Sequence, residues 1–93
     1  MNIEYLLKYM SMDTYDKILN NTNQYILDLL NDNKREVNLN IRYLIKYGVS
    51  NIEKYIYNNL EDLIINHDEF INRINEYENN LSKEEIIMIL ENN

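Results

Sequence analysis

Apolar residues recur at helical spacing along this chain. Ile3, Leu6, Leu7 and Met10 fall at i, i+3, i+4 and i+7, which is one face of a helix. Ile41, Leu44 and Ile45 repeat that spacing, and Gly48 takes the fourth place. A glycine there ends a helix readily, because it enters the left-handed region at low cost. Ser50-Asn51-Ile52-Glu53 then reads as a capping box, opening a helix with apolar Ile52, Tyr55, Ile56 and Leu60 and continuing through Leu63 and Ile64. The equivalent start earlier in the chain is Asp13-Thr14-Tyr15-Asp16, followed by Ile18, Leu19, Ile26, Leu29 and Leu30. Asp32-Asn33-Lys34-Arg35-Glu36 is a polar break and the natural connector. Phe70, Ile71, Ile74 and Tyr77 predict a helix from near Asp68. Ser82-Lys83-Glu84-Glu85 is a second capping box, opening a last helix with Ile86, Ile87, Ile89 and Leu90. No stretch alternates long enough to argue a strand. The pattern predicts an all-α fold of about seven short helices.

The pattern also repeats. Asn2-Ile3-Glu4-Tyr5-Leu6-Leu7-Lys8-Tyr9 lies over Asn40-Ile41-Arg42-Tyr43-Leu44-Ile45-Lys46-Tyr47 at an offset of 38, with six of eight positions identical. The register continues with Ile18 over Ile56, Asn20-Asn21 over Asn58-Asn59, and Ile26 over Ile64. Internal repeats of this length signal stacked helical units. The expected organisation is one domain over residues 1–93, with units at 2–38 and 40–66 and a C-terminal helical pair at 68–93.

The stretch Leu44-Ile45-Lys46-Tyr47-Gly48-Val49-Ser50-Asn51-Ile52-Glu53-Lys54-Tyr55-Ile56 joins two helical patterns through a Gly-hydrophobic-Ser turn. In this, residues 39–60 resemble the helical repeats of mitochondrial transcription termination factors. The resemblance implies helix pairs stacked into a superhelical solenoid, in a family that binds nucleic acid.

Composition narrows the function. A chain of 93 residues is about one domain with a small core. With no Cys, 1 His, 1 Gly and no Pro, it has no disulfide framework, no thiolate chemistry, no His-rich metal site and no glycine-rich phosphate loop. No apolar run approaches the ~18 residues of a membrane span. Met1-Asn2-Ile3-Glu4 lacks the basic start of a secretory leader, so a cytoplasmic location is expected, that of the host cell if a phage or virus encodes the chain. There are 18 Asn, 14 Ile and 9 Tyr and no Ala, a bias that AT-rich codons produce, so individual Asn residues carry little weight at this level. The formal charge of −7 is uneven: residues 1–38 sum to −2, residues 39–60 to +2 and residues 61–93 to −7.

No catalytic set emerges. His67 in Asn66-His67-Asp68-Glu69 reads as an exposed loop or helix-start residue. The carboxylate pairs Glu61-Asp62, Asp68-Glu69 and Glu84-Glu85 are sequence neighbours and do not face each other across a substrate. Ser11, Ser50 and Ser82 read as turn or cap residues. No catalysis, cofactor or metal is expected. Binding residues are more visible. At about 100° per residue, Tyr5 and Tyr9 lie roughly opposite the apolar face, as do Tyr43 and Tyr47. Such tyrosines are either covered by neighbouring helices or form an aromatic ridge for a partner. The acids of the last third, Glu61, Asp62, Glu84, Glu85 and Glu91 among them, suit a basic partner.

These features favour a non-enzymatic protein–protein interaction module using the Tyr ridge and the acidic helices. In size, acidity and AT-rich composition the chain is similar to anti-CRISPR proteins, which implies a small phage- or virus-encoded inhibitor of a nucleic-acid-binding protein. Homodimerisation would cover apolar ends left by two stacked units. The rival reading is nucleic-acid binding through Arg42 and Lys46 beside Tyr43 and Tyr47. A structural or regulatory subunit of a larger assembly is the third.

Overall fold

Helices shorter than about 12–15 residues are marginal in water and persist by burying an apolar stripe. The longest helix of this protein has 14 residues, so tertiary packing holds every element in place. The computed structural model describes residues 3–92. Its order is a 3-10 turn at Glu4–Lys8, α1 (Met12–Asn21), α2 (Gln24–Asp32), α3 (Lys34–Tyr47), α4 (Ile52–Asn58), a second 3-10 turn at Glu61–Ile64, α5 (His67–Tyr77) and α6 (Lys83–Glu91). Among the described residues there is no strand, and the fold is all-α.

α3 is the central element. It packs against α2, α4, α5 and the Glu61–Ile64 turn, while α1 packs on the Glu4–Lys8 turn and on α4, and α4 packs on α6. Leu6, Ile18, Leu30, Val37, Ile41, Leu44, Ile56, Leu63 and Ile86 are wholly inaccessible and belong to one apolar cluster. Each such side chain contributes about 1.5–3 kcal/mol by leaving water.

The stripe that α3 buries is Val37, Asn40, Ile41 and Leu44, at i, i+3, i+4 and i+7. The expected stripe of Ile41, Leu44 and Ile45 is therefore rotated, and Ile45 stands 46% exposed. Asn40 takes the inward place and is the buried polar residue of the core. Its Nδ2 donates to the carbonyls of Leu63 and Ile65, both at 3.0 Å. Its Oδ1 lies 2.8 Å from His67 Nδ1. With the amide N–H groups committed to carbonyls, Oδ1 is the acceptor and His67 carries its hydrogen on Nδ1. His67 is the first residue of α5 and is half-buried, not the exposed residue expected.

Helix ends are closed largely by asparagine. Asn23, Asn51 and Asn66 cap the N-termini of α2, α4 and α5 by accepting from backbone N–H groups one turn on. Asn33, Asn59 and Asn92 donate to the carbonyls of Leu29, Tyr55 and Met88 at helix C-termini, at 2.8, 3.0 and 2.8 Å. Asparagine thus carries structural meaning that a biased composition hides. Gly48 closes α3 with φ +120°. Its N–H bonds Ile45 O at 3.2 Å and Val49 N–H bonds Leu44 O at 3.1 Å, the paired bonds of a Schellman motif.

Several boundaries differ from expectation. The first element is a five-residue 3-10 turn, and α1 is capped by Ser11, not near Asp13. The connector at 32–36 shrinks to Asn33, because Lys34, Arg35 and Glu36 form α3's first turn, where Glu36 accepts from His67 N–H at 3.2 Å. The matched stretches of the repeat take different backbone forms: one is the Glu4–Lys8 turn, the other the C-terminal half of α3, so a unit boundary near residue 40 falls inside a helix. Met1 and Asn2, where the first unit begins, and Asn93 lie outside the described residues.

Two substitutions test this account. Asn40→Leu strands two carbonyls and a ring N–H, with an expected cost of about 2–4 kcal/mol and a fall in Tm of at least about 8 °C. A shift under about 3 °C would show that the buried amide is dispensable. Gly48→Ala forces a Cβ into the left-handed region and within 3.0 Å of Ile87 Cδ1. It should lower stability by about 1–2 kcal/mol in urea unfolding, and an unchanged midpoint would remove the glycine requirement.

Candidate docking surface

The four tyrosines of the expected ridge are half-buried and packed on the core. Tyr5 Oη donates to Leu30 O at 2.7 Å and Tyr9 Oη to Asn38 Oδ1 at 2.7 Å, tying the first turn to α2 and α3. Tyr43 and Tyr47 stack with ring centroids 5.9 Å apart, and Tyr43 meets Phe70 and His67 edge-on. Tyr47 Oη donates to Glu78 Oε2 at 3.1 Å, and Lys83 Nζ sits 5.2 Å from the Tyr47 ring centre. Burial raises the hydroxyl pKa of Tyr5 and Tyr43, with smaller contributions from Tyr9 and Glu78 respectively. Burial raises that of Tyr47 as well, and its hydrogen bond to Glu78 adds to the rise. These rings hold helices together, so the exposed-ridge expectation is replaced by intrachain packing. Their partners, 25–31 residues away in sequence, leave no local signal.

The acids divide by what they touch. Glu61 and Asp62 open the second 3-10 turn and are exposed. Glu84 lies exposed in the first turn of α6. Glu85 completes a capping box, its Oε1 accepting from Ser82 N–H at 2.9 Å while Ser82 Oγ accepts from Glu85 N–H at 3.2 Å. Glu91 accepts from Ser50 twice, from Oγ–H at 2.6 Å and from N–H at 2.7 Å. Glu53 likewise accepts from Ser11 N–H at 2.5 Å. The expected box Ser50–Glu53 is therefore absent: both members serve longer-range bonds, and Asn51 caps α4 instead. Glu85 and Glu91 thus have intrachain roles, while Glu61, Asp62 and Glu84 face water.

A different surface emerges on the outward side of α3. Because Asn40, Ile41 and Leu44 point inward, Leu39, Arg42, Ile45 and Lys46 share the outer face. With Tyr43 and His67 they line a depression of about 500 Å³. Arg42 and Lys46 make no ion pair among the described residues, whose pairs are Arg35–Glu36 and Arg73–Glu69. The sequence pointed to the two cations, but assigned Ile45 to the core. His67 Nε2 has no hydrogen-bond partner among the described residues, and its Nδ1 meets an amide, not a carboxylate. Among the described residues no three of His, Asp and Glu converge as metal ligands, and no helix is long and apolar enough to cross a membrane.

No family model, no curated protein and no solved structure matches the chain.

The serine–glutamate bonds have a pH signature. The Ser11 backbone N–H, with the hydroxyls of Thr14 and Ser11, holds the Glu53 carboxyl below its ordinary value of 4.5. The Ser50 hydroxyl and then its N–H do the same for Glu91. A lowered folded pKa gives stability that is complete above the ordinary value and is lost as pH falls through the lowered one. Urea midpoints between pH 7 and pH 3 should therefore drop more steeply in the parent than in Glu53→Gln/Glu91→Gln. Parallel curves would show that these bonds add no pH-dependent stability.

Proposed function

We propose that this chain is a non-enzymatic protein-binding module. The supporting observation is the outer face of α3, where Arg42 and Lys46 flank the exposed Ile45 beside Leu39 and Tyr43. An exposed aliphatic residue beside half-buried apolar neighbours, with cations at the rim, has the composition of a docking surface. Cations without intrachain partners select carboxylates at the edge of an apolar strip, so an acidic amphipathic segment meets both features.

The exposed acids Glu61, Asp62 and Glu84 support a second surface, toward a basic partner. A small phage- or virus-encoded inhibitor of a nucleic-acid-binding protein is the form of this function that size and acidity suggest. Nucleic-acid binding by Arg42 and Lys46, which the likeness of residues 39–60 to termination-factor repeats also suggests, is the less favoured reading. Stacking on bases needs free aromatic faces, whereas Tyr43 and Tyr47 stack on each other and Tyr43 also meets His67 and Phe70.

A benzophenone amino acid at position 45, irradiated in extract of the native cells, should crosslink to a defined protein. The same probe at Met12, exposed on α1, should not. Arg42→Glu/Lys46→Glu should reduce the crosslink at least about tenfold, the scale of losing a charged rim pair. A gel shift of DNA or RNA at low salt that this double variant abolishes would overturn the protein-binding reading.

A further inference from the structure

α6 has an outward stripe of its own. Ile86 and Leu90 point into the core, and Ile87 meets Gly48. On the opposite side Leu81, Glu85, Met88, Ile89 and Asn92 line a second depression of about 470 Å³. Glu85, Met88, Ile89 and Asn92 fall at i, i+3, i+4 and i+7 on one face of α6 and its C-cap, and Leu81 joins them from just before the N-cap Ser82. Met88 is 61% exposed, among the most accessible apolar side chains of the protein. Methionine at such a place adapts to an irregular partner surface. Glu84, four residues before Met88, adds an exposed carboxylate to the stripe's edge. Lys83, the cation of α6, is turned away over the Tyr47 ring.

The two uncovered stripes are complementary. That of α3 is apolar with Arg42 and Lys46, in a segment of net charge +2. That of α6 is apolar with Glu84 and Glu85, in a segment of net charge −7. We propose that a second copy of this chain is the occupant of the α3 groove, its α6 stripe laid along Leu39, Arg42, Ile45 and Lys46. The proposal rests on the reading of α3 as a docking face and names its partner. Two copies that exchange these contacts fill both grooves and close as a twofold dimer, with α3 of each facing α6 of the other. Each contact involves only a few residues a side, so the interface belongs to the small, reversible class with dissociation on the order of micromolar. Its attraction is partly between exposed charges, so salt weakens it.

Sedimentation equilibrium across concentration tests this. The parent chain should run near its monomer mass of 11.4 kDa when dilute and approach twice that at high concentration and low salt. Arg42→Glu/Lys46→Glu should stay monomeric, and so should Glu84→Lys/Met88→Lys; all four sites are exposed, and unchanged helical circular dichroism confirms folding. An equimolar mixture of the two variants should associate again, because the intact α6 of the first meets the intact groove of the second. Three results would each overturn the proposal: a parent that stays at 11.4 kDa throughout, association that survives the Arg42/Lys46 change, or a mixture that does not recover. If the parent is monomeric while the probe at position 45 still crosslinks to a different protein, only the second-copy assignment fails. If that crosslink is also absent, the docking reading of α3 fails with it.

Discussion

One buried amide determines how the elements around α3 are set. Asn40 occupies a core position on the face that Val37, Ile41 and Leu44 also bury. Its hydrogens reach the carbonyls of Leu63 and Ile65, at the point where the chain leaves its second 3-10 turn. Ile65 is extended, with ψ 157°, so its carbonyl has no helical partner to fall back on. The third bond takes His67 at the start of α5. Apolar contact tolerates sliding by a fraction of a turn, whereas three hydrogen bonds in a low-dielectric interior tolerate one alignment. Asn40 therefore orders the turn, the entry of α5 and the face of α3 together.

That placement also decides which side of α3 remains uncovered. With Asn40 inward, the helix is rotated away from the arrangement that its aliphatic residues alone would choose, and Ile45 emerges beside Arg42 and Lys46. Single exposed aliphatic residues are ordinary on any surface. An aliphatic residue at the centre of a strip with two unpaired cations, on a protein of net charge −7, is less ordinary. The polar residue in the core and the apolar residue on the surface are two results of one helix rotation.

The helices were legible because periodicity reports burial directly, and the Ser82–Glu85 box and the Gly48 stop were legible because their chemistry is local. What failed was non-local. Ser50-x-x-Glu53 has the same residue types as the working box at Ser82, yet Glu91 takes the serine and Ser11 takes the glutamate. The tyrosines fall on a helix flank when counted at α-helical spacing, but the first pair sits at a 3-10 turn, whose residues advance by a third of a turn each. Leu30 and Asn38 then hold their hydroxyls. Asparagine was opaque because compositional bias and capping draw on the same residue, and only its burial in the fold separates Asn40 from the other asparagines. Of the surface on α3, the sequence exposed the cations and concealed the aliphatic centre.

The 38-residue periodicity takes a different meaning in this light. The backbone of its most similar stretches is not shared, since the Glu4–Lys8 3-10 turn answers to half of α3, although α1 answers to α4. A contact does recur: Ser11 N–H binds Glu53 at the entrance of α1, and Ser50 N–H binds Glu91 at the entrance of α4, with the two glutamates 38 residues apart. Each joins the start of one helix to a helix about forty residues further on, so α1, α4 and α6 form a linked series beside the core. Glu91 is drawn inward by this bond at the last residue of α6. The bond anchors that end of α6 with Ile87 and Leu90 toward the body of the protein, and it leaves Met88 and Glu84 on the outer side. The same glutamate that would count as one more surface charge thus joins Ile86 and Leu90 in holding α6 with its acidic, apolar stripe toward solvent.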